Sequence, residues 1–97
     1  MTAYVIARIR EITDPDLFNE YRKQMPVVLA QYGGRYLARG PEEDLLAGSG
    51  PEKVAIIEFP SRAAADKFWT SPEYTEVRKL RERSADSKIG VVEGFPL

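Results

Sequence analysis

Neither cysteine nor histidine occurs in this chain. Without thiols, disulfides, thiolate nucleophiles and cysteine metal sites are excluded, and the chain is compatible with a reducing compartment. Without imidazole, the usual metal and haem ligand is gone, together with the one side chain that titrates near neutrality unperturbed. Zinc hydrolysis and Ser-His-Asp catalysis are therefore out, and neither a metal nor a cofactor is expected. An excess of one charge is lacking too. Lys and Arg number 14 against 15 Asp and Glu, a formal net charge of -1, which supplies no field for gripping phosphate backbones or anionic membranes. No apolar run approaches the ~18 residues of a membrane span. The opening MTAYVIARIRE has no basic leader followed by a long apolar core. The expectation is a cytoplasmic protein that binds neither nucleic acid nor membrane.

What is present fits one domain over residues 1–97, with 43% hydrophobic residues to build a single core. AYVIARIRE (Ala3 to Glu11) reads as a strand, with Val5, Ala7 and Ile9 on one side and Tyr4, Ile6 and Arg8 on the other. Asp14 is placed to cap a helix that has Pro15 at its first position. Phe18, Tyr21, Met25, Val28, Leu29 and Tyr32 follow at helical spacing, and Gly33 or Gly34 ends the run. Pro26 inside this helix removes one hydrogen bond and predicts a kink. A strand from Arg35 to Arg39 breaks at Gly40-Pro41, and the GSGP turn leads into a strong strand, KVAIIEF (Lys53 to Phe59). Ser61 caps RAAADKFW, and Ser71 with Pro72 restarts a helix through EYTEVRKLRERS. KIGVVEGF closes the chain as a last strand.

The order β-α-β-β-α-β predicts an α+β ferredoxin-like sandwich, with helices on one face of a four-stranded antiparallel sheet whose central strands are the first and third. Both central strands are apolar on both sides, yet helices cover only one. Tyr4, Ile6, Val54, Ile56 and Val92 are thus left on an open face, which predicts a homodimer formed through it.

The fragments YGGRYLARG, AIIEFPS, AAADKFWTSPEY and VVEG, with the opening YVIARIREITDPDLFNEY, resemble the bacterial family of domain of unknown function 1330, within the dimeric α/β-barrel superfamily. The resemblance spans nearly the whole chain. It implies a ferredoxin-like homodimer but not an activity, because that superfamily includes cofactor-free monooxygenases, haem-degrading enzymes, muconolactone isomerases and stress-response proteins. The family pattern usually places tryptophan then tyrosine before serine-proline. This chain has Phe68 then Trp69, so no phenol is available at position 69.

Candidate site residues follow from these elements. Arg35, Leu37 and Arg39 are expected on one strand face, with Glu58 near enough on the neighbouring strand to pair with Arg35 or, after a shift at Gly40-Pro41, with Arg39. Such arginines serve equally as structural ion pairs or as ligands for an anion. Trp69 and Tyr74 flank the helix break, where aromatics pack a core or line a cleft. Tyr21 and Tyr32 belong to the buried stripe of the first helix. Arg78 and Glu82 have the spacing of a solvated helical pair, whereas Arg81 lies within a turn of Val77 and Leu80 and matches an arginine of the family pattern. Two functions stand open. One is a small anionic or aromatic metabolite bound between sheet and helices by Arg35, Arg39, Trp69 and Arg81, with Glu58 or Tyr74 moving protons in cofactor-free chemistry of monooxygenase or isomerase type. The other is a noncatalytic dimeric binding or stress-response protein. RNA binding is disfavoured, because no aromatic-rich strand motif follows Tyr36.

Overall fold

The computed structural model describes residues 1–43 and 45–96. Its elements run β1 (Ala3–Ile12), α1 (Pro15–Gln31), β2 (Arg35–Pro41), β3 (Lys53–Phe59), α2 (Arg62–Trp69), α3 (Pro72–Glu82) and β4 (Ala85–Glu93). The strands form one antiparallel sheet in the order β2-β3-β1-β4, the ferredoxin-like arrangement with the first and third strands at the centre. Among the described residues no helix is long and apolar enough to cross a membrane.

Each helix starts where its capping side chain dictates. The Asp14 carboxylate accepts from Leu17 N–H at 3.1 Å, the Ser61 hydroxyl from Ala64 N–H at 3.1 Å, and the Ser71 hydroxyl from Tyr74 N–H at 3.1 Å. α1 continues through Pro26 to Gln31 as one helix. Its end is a paired glycine device. Gly33 takes the left-handed conformation at φ 78°, its N–H bonds to Ala30 O, and Gly34 N–H bonds to Leu29 O, closing the orphan carbonyls of the last turn. Gly34 is needed for a second reason, since its backbone lies against the ring of Phe59 in the core.

Alternation sorts β1 cleanly. Ala3, Val5, Ala7 and Ile9 are buried beneath the helices, whereas Tyr4 and Ile6 are half-buried and Arg8 exposed on the open face. In β3, Ile57 and Phe59 are buried under the helices, and Val54 and Ile56 belong to the open side, where Ile56 lies opposite Ile6. Val92, opposite Tyr4 in β4, is 54% exposed there. Under the helices Phe18, Met25, Leu29, Phe59, Phe68 and Tyr74 close the core, with the Phe68 and Tyr74 rings 4.2 Å apart.

Two strands are longer than their sequences suggest. β2 extends two residues beyond Arg39, because it is an edge strand where Pro41 can pair with Lys53 without interrupting a ladder on its outer side. β4 begins at Ala85 rather than Lys88. Its polar start, Ala85 to Ser87, is held by pairing with β1 past a register shift between Ile9 and Glu11, a tertiary contact that overrides weak strand propensity.

Gly34→Ala tests the packing at the α1 exit. A methyl group there would stand 2.6 Å from Phe59 Cε1 and 3.2 Å from Leu29 Cδ2, so the variant is expected to lose about 1–3 kcal/mol in chemical denaturation. An unchanged midpoint would show that the ring moves freely aside.

Candidate functional site

Strand β2 controls the chemistry of the sheet. Between Tyr36 and Ala38 it advances two residues while β3 advances one, from Ile57 to Ile56, so Leu37 is the extra residue of a β-bulge. An extra residue inverts the alternation beyond it. Arg35, opposite Glu58, therefore lies on the open face, and Arg39, opposite Ala55, lies on the helix side. The expectation that Arg35, Leu37 and Arg39 share one face is corrected by this insertion, which period-two counting could not register.

On the open face Arg35 pairs with Glu58. Arg35 Nε donates to Glu58 Oε1 at 3.1 Å, and Nη2 is also 3.1 Å from that oxygen. The Arg35 side chain is 70% exposed and the Glu58 side chain 27% exposed, so in the single chain this is a screened surface pair. Arg8 stands on the same face, 3.7 Å from Glu42.

On the helix side a cavity of about 160 Å³ lies between α1, the β2 end of the sheet and the end of α3. Its floor includes Ala7 and Ala55, which are register partners across β1 and β3. Two methyl groups facing α1, where β-branched side chains would otherwise fill the layer, leave this volume open. Phe18, Met25, Ile9 and Ile57 supply apolar walls, and exposed Arg39, Pro41 and Lys53 mark the mouth.

Three guanidinium groups reach this cavity from three elements: Arg22 from α1, Arg39 from β2 and Arg81 from α3. Arg39 lies over the Tyr36 ring at 4.8 Å and Arg22 over Phe18 at 6.0 Å. Arg81 is only 7% exposed. Its Nη1 donates to Ser87 Oγ at 2.7 Å, but its buried Nε has no hydrogen-bond partner. Among the described residues none of the three makes an ion pair, and no carboxylate lines the cavity. Burying a cation beside an orphaned donor is costly unless an acceptor arrives.

Phenols complete the lining. The Tyr21 and Tyr74 hydroxyls share a hydrogen bond at 3.3 Å, with Tyr21 on the cavity wall and Tyr74 behind it in the core. Burial, followed by the Tyr74 hydroxyl, drives the Tyr21 pKa far above its ordinary value, with Arg81 opposing the shift. Burial likewise raises the pKa of Tyr36 against the pull of Arg39. Both phenols are therefore protonated donors at neutral pH.

The candidates from sequence divide accordingly. Arg39 and Arg81 meet in the cavity, and Tyr74 supports it from behind. Arg35 and Glu58 are on the other face of the sheet. Trp69 lies along a shallow groove with Arg78, Asp86, Ser87 and Ile89, sharing only Arg81 with the cavity; the Arg81 guanidinium carbon is 6.0 Å from the Trp69 ring centre. Arg22, Tyr21 and Tyr36 also line the cavity, which the sequence pattern alone does not indicate. Arg22 is four residues after Phe18, on the margin of the apolar stripe, and that position was the available signal. Among the described residues no group of three acidic side chains is placed to hold a metal ion.

A sequence model described as a domain of unknown function (DUF1330) matches residues 2–95. No curated protein matches the chain. Among solved structures, a protein of unknown function from Rhodopseudomonas palustris is 22% identical with a TM-score of 0.76, covering 99% of this chain and 84% of its own. A dimeric ferredoxin-like protein of unknown function from Jannaschia sp. CCS1 is 14% identical with a TM-score of 0.79, covering 97% of this chain and 100% of its own. SnoaB, a cofactor-independent oxygenase from Streptomyces nogalater, is 11% identical with a TM-score of 0.72, covering 99% and 95%. At these identities the likeness is one of fold.

The Tyr21 environment makes stability depend on alkaline pH. The folded state prefers the neutral phenol, whereas an unfolded tyrosine ionises from its ordinary pKa of 10.0 upward. The contribution is therefore complete below about pH 10 and is lost as pH rises beyond it. Denaturation between pH 8 and 11 is expected to show falling stability, with a shallower slope in Tyr21→Phe; an unchanged slope would show that this phenol is solvated.

Proposed function

The chain belongs to the DUF1330 family, and we propose that it works as a homodimer binding a small anionic metabolite in the cavity beneath α1. The observation that carries the reading is the buried Arg81, which makes no ion pair among the described residues and stands in the wall of an apolar cavity also reached by Arg22 and Arg39 and, among the described residues, lined by no carboxylate. An anion at that position would accept from Arg81 and compensate a cation that is otherwise unpaired in low dielectric. Arg39 would meet the ligand at the mouth. Trp69 and Arg35, both outside the cavity, are assigned indirect roles: Trp69 packs near Arg81, and Arg35 balances Glu58 on the open face.

Cofactor-free chemistry in this cavity is the catalytic form of the same reading, supported by the fold shared with a cofactor-independent oxygenase. Glu58 lies on the far side of the sheet, so the Tyr21 hydroxyl, backed by Tyr74, would act as a hydrogen-bond donor to developing negative charge rather than as a proton carrier. Among the described residues no carboxylate lines the cavity, which favours binding without chemistry as the second reading. Dimerisation through Tyr4, Ile6, Val54, Ile56 and Val92 is supported by the apolar character of that face and by dimeric neighbours of the same fold.

Two measurements test the proposal. Emission of Trp69, the single tryptophan, should change saturably with at least one small organic anion from a panel also containing neutral analogues. Arg39→Gln should weaken that response about tenfold or more, the loss of one charge-assisted contact. Silence across the panel would overturn the site. Sedimentation of the wild type should give a dimer at micromolar concentration, and Ile56→Asp a monomer or an unfolded chain; a monomeric wild type would overturn the interface.

A further inference from the structure

We propose that the ligand of this cavity is a carboxylate carried on a single six-membered ring or an apolar body of that size, an inference that rests on the cavity being an anion site. Size, wall chemistry and donor geometry each narrow the class. The cavity holds about 160 Å³, and a protein cavity of about 150 Å³ accommodates one benzene molecule. A single ring fills the space between α1 and the Ala7 and Ala55 floor, whereas a fused two-ring body exceeds it.

The walls are apolar, so an ion without a hydrophobic part would leave Phe18, Met25 and Ile57 facing water while occupying only the cationic end. That argues against inorganic anions. The polar side chains of the lining are guanidiniums and phenols, with the Lys53 ammonium at the mouth, and all of them can donate hydrogen bonds. Guanidinium presents a planar fork, and the flat carboxylate is its geometric complement. Arg81 is the buried cation of the set, and a carboxylate with one oxygen toward its guanidinium would leave the second oxygen for Arg39 or Arg22. The ring then lies along Phe18 and over the paired alanines.

Isothermal titration of the wild-type protein with benzoate, cyclohexanecarboxylate, 2-naphthoate, benzyl alcohol and inorganic phosphate separates these claims. Benzoate and cyclohexanecarboxylate are expected to bind, with 2-naphthoate, benzyl alcohol and phosphate at least tenfold weaker. Arg39→Gln, an exposed position whose change leaves the core intact, should weaken benzoate at least tenfold. Ala55→Leu, which fills the floor, should abolish benzoate binding while thermal melting shows a folded chain. If phosphate or 2-naphthoate binds and benzoate does not, the ring-carboxylate class is overturned although the anion site stands. Benzyl alcohol binding as tightly as benzoate would overturn the role of the guanidiniums. If no anion in the series binds, both the class and the anion site fall.

Discussion

One inserted residue in an edge strand decides how this molecule divides its charge. Leu37 bulges from the ladder of β2 with β3, and because side chains alternate strictly along a strand, everything after it is reversed. Arg35 is thereby spent on Glu58 at the open face, while Arg39 turns beneath the helices toward a cavity that already receives Arg22 and Arg81. Without the bulge, Arg39 would extend the open face, and the mouth of the cavity would lose its outermost cation.

The helix side carries the opposite balance from an ordinary core. Its walls are those of a packed interior, yet a guanidinium is buried there with a donor unmet. Aromatic faces soften that cost: Trp69 lies beside Arg81, Tyr36 beneath Arg39 and Phe18 beneath Arg22. They cannot supply the acceptor that a buried N–H requires. The alanine pair in the floor leaves the cavity open beside these guanidiniums.

Much of this architecture was legible in the sequence. Asp14, Ser61 and Ser71 announced the helix starts through their capping chemistry, the alternation in Ala3 to Ile9 and Lys53 to Phe59 identified two central strands with two apolar faces, and element order then gave the sheet. The pairing of Arg35 with Glu58 was one of two registers the sequence allowed. What escaped had a common cause. Local pattern does not encode where a ladder inserts a residue, so the separation of Arg35 from Arg39 was invisible. Nor does it reveal which small residues face each other across strands, so nothing in it marks Ala7 and Ala55 as the floor of a cavity. Tyr21 was recognised as buried, but only the approach of α1 to α3 shows its hydroxyl joined to Tyr74 and its ring on the cavity wall.

We propose that Arg81 holds an anion seated in the cavity. The most direct measurement follows the arginine Nε–Hε resonances by nitrogen-15 NMR while benzoate is added. The Arg81 Hε signal is expected to shift and to exchange more slowly with water as a charge-assisted hydrogen bond forms at its guanidinium, while the Arg35 signal, on the other face, stays in place. An unmoved Arg81 signal at saturating benzoate, or a response confined to Arg35, would contradict it.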